Sequence, residues 1–214
     1  MTAQLNTIGV EGPVCAGKTT VVAGLARQFA GLSVICVPDY ADHVGGGRHL
    51  PSPVPQSIAE EEQALHVFLK IEAERTKQAR NVAERPQIVL VDRSVHTLLA
   101  HCYVLSRMTG LDYNSAARRV LGGSDTPLWP DLILYLDVPQ QAIDARNTGK
   151  FEVGSIFIDA AFNEGIRAYF LRLAGQELRR VVWLDATVSA TMLCRLAGSQ
   201  IADWLRQRGE GEDR

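Results

Sequence analysis

The chain has 214 residues, 46% hydrophobic and 21% charged, with a formal net charge of −2. Such a chain suits one α/β domain with a sizeable core, and its acidic balance speaks against a nucleic-acid groove, which would carry a basic surplus. No apolar run reaches a membrane span, and residues 1–6 lack the basic start and apolar core of a secretory signal. Cys15, Cys36, Cys102 and Cys194 match no metal spacing. The expectation is a cytoplasmic protein with free thiols, three of them small core residues in strands or helices.

The first predicted strand, Thr7–Val10, runs into Gly12-Pro13-Val14-Cys15-Ala16-Gly17-Lys18-Thr19, which fits G-x-x-x-x-G-K-[ST]. From Thr20 to Phe29, the residues Val21, Val22, Leu25, Ala26 and Phe29 keep helical spacing. A strand, a glycine-bearing turn and a helix in that order build a phosphate-binding loop, with inward amides and the positive helix end facing phosphate oxygens. On this reading Gly12 to Thr20 hold ATP, Lys18 reaches its β/γ-phosphates, and the Thr19 hydroxyl ligates Mg²⁺.

The second predicted strand, Ser33–Val37, ends in Pro38-Asp39-Tyr40. Asp39 has three readings: a base for an acceptor hydroxyl, a carboxylate holding sugar hydroxyls, or a turn cap. Residues Gly45 to His49 form a loop whose Arg48 either meets an acceptor phosphate or is solvated, and Pro51 to Pro55 read as a loop restrained over a cleft. Gln56 to Glu84 is a long helix with Leu65, Phe68, Leu69, Ala73 and Ala79 near one face. Glu72 and Arg75 fall on that same line, where unpaired charge is costly to bury. They either line a cleft or pair with each other, and Arg75 is assigned to the cleft.

The third strand, Ile88–Val91, is followed by Asp92-Arg93-Ser94. That setting suits Asp92 for Mg²⁺, directly or through water, and Arg93 for a bidentate clamp on phosphate; the alternative is a surface ion pair. Helices are predicted from Val95 to Met108 and from Asn114 to Leu121, then a strand, Leu132–Leu136, ending in Asp137-Val138-Pro139. Arg146 is placed either to stack on adenine or to steady the transferring phosphate. A helix from Ile156 to Leu178, a strand Val181–Leu184 ending in Asp185-Ala186-Thr187, and a helix from Ser189 to Arg206 complete the order, with a solvated tail, 209–214. The strands are nearly continuous in apolar residues, as in a parallel sheet covered on both faces. Ligands of such sheets bind outside the carboxyl ends of the strands, where the acidic and basic residues gather here.

These segments resemble the thymidylate kinase and deoxynucleoside kinase branch of the P-loop kinases. Val10-Glu11-Gly12 through Gly17-Lys18-Thr19-Thr20 resembles the EG-x-x-x-AGKST loop of both families, and Val91-Asp92-Arg93-Ser94 resembles their DRY and ERS segments. Pro130 to Pro139 is similar to the PDL-x-x-YLDV-P segment of thymidylate kinases, as are Phe162 to Tyr169 and Leu184-Asp185-Ala186 to later segments of that family. Val14 stands where thymidylate kinases carry an acidic residue and looks more like the deoxynucleoside kinases. Val37-Pro38-Asp39-Tyr40-Ala41 replaces REPGG, with Asp39 at the acidic position. Cys102 and Phe68 stand roughly where the two families keep base-reading amides, and the lid lacks the usual arginine cluster.

The resemblance implies an α/β, three-layer P-loop kinase fold: a five-stranded parallel sheet of order 2-3-1-4-5 with helices on both faces. Residues 1–208 form one domain, with a short lid at about 147–155 opening on Arg146 and a disordered tail at 209–214. It also implies a possible homodimer. The expected activity is ATP-dependent phosphoryl transfer to a nucleoside monophosphate, with Lys18, Arg93, Asp39 and Asp92 carrying catalysis and Asp39, Arg48, Phe68, Glu72, Arg75 and Arg93 holding the acceptor. The alternative is a deoxynucleoside kinase phosphorylating a 5′-hydroxyl, with a nucleotide-binding switch or a degenerate kinase behind it. No nucleic-acid polymer and no membrane is expected as partner.

Overall fold

The strands stand where the apolar runs predict, and four of the five run one residue further to take in an acidic residue: β1 (Thr7–Glu11), β3 (Ile88–Asp92), β4 (Leu132–Asp137) and β5 (Val181–Asp185). The computed structural model describes residues 6–80, 88–176 and 181–212, with side chains as far as Arg208. With β2 (Val34–Val37), the strands pair in parallel in the order β2-β3-β1-β4-β5, as the resemblance implied. Parallel neighbours need crossovers, and helices supply them: α1 (Lys18–Gln28) before β2, α3 (Ile58–Arg80) before β3, α4 (Val95–Thr109) and α5 (Tyr113–Gly122) before β4, and α6 (Gln140–Arg146) and α7 (Ala160–Gln176) before β5. The helix α8 (Ala190–Glu212) packs back on α1.

Side chains alternate across a strand, so each strand feeds two cores. In β4, Leu132, Leu134 and Leu136 join Val21 and Leu25 of α1 and Ala197 and Ile201 of α8. Ile133 and Tyr135 join Leu99 of α4 and Phe170 of α7 on the other face. In β3, Ile88 and Leu90 belong to the first of these cores, while Val89 and Val91 pack with Ala79 of α3. Each such Val, Leu, Ile or Phe side chain contributes roughly 1.5–3 kcal/mol through burial. Among the described residues no helix is long and apolar enough to cross a membrane.

Several boundaries differ from the expectation. A short helix, α2 (Tyr40–His43), follows β2, and a 3₁₀ turn at Gly47–His49 lies within the stretch 45–49 read as loop. The predicted end of the long helix, 81–84, lies outside the described residues, as do 177 and 178. The helix predicted to begin at Ile156 instead opens as a 3₁₀ turn, Ile156–Ile158, and α7 starts after Asp159, whose carboxylate accepts from the Phe162 amide at 2.8 Å and caps it. Helix α8 continues to Glu212, into the segment read as a tail. Cys36 was expected in the core, but it is exposed because β2 is an edge strand.

Candidate active site

The ends of β1, β2 and β3 converge on one cluster. Glycine is required at position 12: φ is 135°, and a Cβ would lie 2.6 Å from the Leu136 carbonyl oxygen of the neighbouring strand. The loop therefore turns against β4 and delivers Lys18 and Thr19 to the first turn of α1. Lys18 is 6% exposed, and its Nζ donates to the Pro13 carbonyl at 2.7 Å within the same loop. Burial, reinforced by the Arg93 charge, pushes its ammonium down to about 7.

The Thr19 hydroxyl donates to Asp92 Oδ2 at 2.6 Å. Asp92 is buried, and its Oδ1 has no hydrogen-bond partner. A buried carboxylate oxygen with spare lone pairs beside a hydroxyl is a hard-oxygen pair, and Mg²⁺ fits that donor set. Arg93 follows with φ of 63°, a left-handed conformation that costs a non-glycine residue about 1–3 kcal/mol. Three bonds hold it there. Its amide donates to the Val10 carbonyl at 3.2 Å, and Arg75 Nη2 donates to the carbonyls of Asp92 at 3.1 Å and Arg93 at 2.7 Å. The Arg93 side chain then reaches Asp39, Nε to Oδ2 at 3.0 Å. Asp39 stands at the N-cap of α2 yet makes no capping bond, so its carboxylate serves the cluster rather than the turn.

Two expectations change. Arg75 was assigned to the acceptor cleft, but it is 0% exposed and Glu72 1% exposed. They pair with each other one helical turn apart, the other reading of the two, and Glu72 Oε2 also accepts from the Leu128 amide. Arg75 further stacks on the Tyr40 ring, 4.2 Å from its centroid. A guanidinium so enclosed supports the Asp92–Arg93 turn from beneath and presents no face to a ligand. Arg48 is also apart from the cluster, exposed and donating to His49. Phe68 packs edge-on against Tyr40, near Arg75. Arg146 lies at the other side of the loop, its guanidinium bridging the carbonyls of Cys15 and Ala186, where the first strand's loop meets the turn after β5.

Other residues of the site had no assigned role. Glu11 is buried at the end of β1 and accepts from the Ser94 amide, the Ser94 hydroxyl and the Thr97 hydroxyl, at 2.7, 2.6 and 2.6 Å. Burial raises its pKa, and those donors oppose the rise. Its position, an acid directly before the loop and inside an apolar run, was the available signal. A narrow cavity of about 40 Å³ lies between the loop and α4, lined by Glu11, Arg93, Thr97, His101, Phe157 and Phe162 among others. His101 is pushed down to about 4 by burial and is neutral at pH 7. A larger cavity of about 420 Å³ lies outside β4 and β5, around Asp137, Gln140, Asn163, Arg167 and Trp183, and meets the loop at Pro13. The cluster that carries charge for phosphate chemistry borders the narrow one.

Comparison with known proteins bears on the family and the fold. Residues 7–144 match the AAA domain family. A thymidylate kinase of Bradyrhizobium sp. (strain ORS 278) is 30% identical, covering 91% of this chain and 88% of the relative. The thymidylate kinase of Thermomicrobium roseum is 28% identical over 94% of this chain and 96% of its own length. Among solved structures, deoxyadenosine kinase from M. mycoides superposes with a TM-score of 0.65 at 15% identity, covering 92% of this chain and 99% of that one. With its loop, its sheet order and these relatives, the chain belongs to the thymidylate kinase family of P-loop proteins and is a nucleotide kinase.

Proposed function

We propose that the protein transfers the γ-phosphoryl group of ATP to the 5′-phosphate of a nucleoside monophosphate. The observation that carries this reading is the meeting of Lys18, Thr19, Asp92, Arg93 and Asp39 at the ends of three adjacent strands. The curated relatives named as thymidylate kinases favour a monophosphate acceptor over a nucleoside. The loop amides and Lys18 hold the β- and γ-phosphates, Lys18 exchanging the Pro13 carbonyl for phosphate oxygens. Thr19 and Asp92 would hold Mg²⁺, which would supply charge neutralisation for the transferring phosphoryl group. An oxygen of the acceptor phosphate forms the new bond to Pγ as the bond to the bridging oxygen breaks and ADP leaves. Arg93 meets the acceptor and the equatorial oxygens, and Asp39 keeps the guanidinium oriented. Arg146 covers the adenine side, and residues 147–155 act as the lid over one domain, 1–208. A homodimer and a cytoplasmic location are proposed on the family likeness alone.

A second reading rests on Asp39, whose carboxylate is 25% exposed and free of capping. In a nucleoside kinase it would take the proton of a 5′-hydroxyl. Purified protein with Mg-ATP and a panel of nucleosides and monophosphates, with products followed by mass, decides between the two. Diphosphates from a monophosphate support the proposal, and monophosphates from a nucleoside overturn it. Asp39→Asn adds a separate check: a base should cost about 10²–10⁴-fold in turnover, while an orienting carboxylate should cost mainly acceptor KM.

A further inference from the structure

Behind the wall of the narrow cavity, α3 and α4 bring together three side chains that phosphoryl transfer leaves without a task. We propose that Glu61, His101 and Cys102 form a binding site for a transition-metal ion of the zinc class, separate from the Mg²⁺ position at Thr19 and Asp92. One ligand atom from each of the three, a carboxylate oxygen, an imidazole nitrogen and a thiol sulfur, lies within 4.8 Å of the other two. Tetrahedral zinc, with bonds of about 2.0–2.3 Å, needs its ligand atoms roughly 3.3–3.7 Å apart, so shifts of about an ångström or less close the set.

Glu61 and the Nε2 atom of His101 are poorly satisfied, although the Pro53 backbone hydrogen-bonds the His101 ring. Glu61 is 4% exposed, and its Oε1 is met by the Cys102 thiol at 2.8 Å, a weak donor for a buried carboxylate. His101 Nε2 is buried with no hydrogen-bond partner. Cys102 is 0% exposed and sits in the same apolar cluster as Leu65, Leu105 and Tyr113. In such surroundings the charges must balance. A thiolate and a carboxylate together carry two negative charges, and a divalent ion with a neutral imidazole brings their sum to zero. Metal binding releases the thiol proton to solvent. The donor set selects the metal as well: sulfur and nitrogen suit Zn²⁺ and Co²⁺, while Mg²⁺ prefers oxygen alone. His101 also lines the cavity beneath the phosphate loop, which gives the ion a route in and leaves that side for a water as fourth ligand. None of this depends on which acceptor the kinase uses.

The test is a Co²⁺ titration of metal-free full-length protein, read by absorption. One equivalent is expected to produce a thiolate-to-cobalt charge-transfer band and the strong visible bands of tetrahedral Co²⁺. Zn²⁺ should displace them, and a large excess of Mg²⁺ should leave them unchanged. The combined variant Cys15→Ser, Cys36→Ser, Cys194→Ser keeps Cys102 as its only thiol and is expected to retain the band. Cys102→Ser should lose it, with Cys102→Ala in its place if the serine variant does not fold. Glu61→Gln and His101→Gln should weaken Co²⁺ binding at least as much as the roughly 10–100-fold seen when outer-shell partners are lost. A folded combined variant without the band, a band that survives in Cys102→Ser, or displacement by Mg²⁺ would each overturn the site.

Discussion

On the proposed reading, Lys18 and Arg93 set the chemistry at the scale of single residues, and each makes a measurable demand. The Lys18 ammonium is held near 7 by burial and by Arg93, so at pH 8 the free protein carries it mostly neutral. The sign follows from linkage. Unfolded lysine binds its proton up to its ordinary value of 10.5, so between about 7 and 10.5 the unfolded state holds more protons and this group makes folding more favourable as pH rises. A bound triphosphate favours the charged form and reverses the shift. ATP binding at pH 8 should therefore take up close to one proton, seen as a calorimetric enthalpy that varies with the ionisation heat of the buffer. Lys18→Met should abolish that dependence, and an unchanged dependence would show that another group takes the proton. Arg93 makes a geometric demand. Its backbone is strained and its guanidinium is fixed by Asp39, so Arg93→Lys keeps the charge and loses the planar fork. Turnover should fall on the order of 10²-fold with ATP affinity little changed, and steady-state rates with calorimetry check both.

Helix α3 explains why the turn after β3 keeps its shape. Glu72 and Arg75 lie three residues apart, one helical turn, and both are enclosed. Such a pair gains little over apolar packing, but breaking it leaves a buried charge alone. Glu72→Gln should cost about 3–5 kcal/mol in urea unfolding. Because Arg75 holds the carbonyls of Asp92 and Arg93, turnover of the variant that remains folded should fall as well, with ATP affinity near normal. Loss of stability with full turnover would mean that the pair supports the fold and not the turn.

For the whole molecule, the narrow cavity implies movement. Ligand pockets usually measure about 300–1,000 Å³, and about 40 Å³ beside Arg93 does not admit a nucleotide. Hydrogen exchange should change on acceptor binding in residues 39–57 and 147–158, the connecting segments around the cluster, with β1, β3 and β4 unaffected. Uniform behaviour across the chain would place the acceptor elsewhere. Much of this architecture was readable in advance. The strands were visible because a sheet buried on both faces demands unbroken apolar runs, and the phosphate loop because its geometry demands named residues at fixed spacing. The direction of Arg75 was not readable. Glu72 and Arg75 at helical offset fit a cleft and a core equally well, and the choice depends on how α3 turns about its axis against β3. The role of Glu11 is not readable for a related reason: its partners, the α4 N-cap Ser94 and Thr97 in the first turn, lie more than eighty residues away. Helix α2, four residues long, is too short to show a period.

The central position of β1 also bears on how the chain is made. Thr7 pairs with Val89, and Ile8 with Leu132. Of the five strands, the one that carries the phosphate loop leaves the ribosome first and waits for both neighbours. At about 5–20 residues per second, the end of β3 follows that of β1 by roughly 4–16 s and the end of β4 by roughly 6–25 s, so one edge of β1 still lacks its partner after the other is filled. During synthesis the first apolar strand is thus the most exposed to mispairing, and the nucleotide cradle becomes one of the last parts of the nascent protein to take shape.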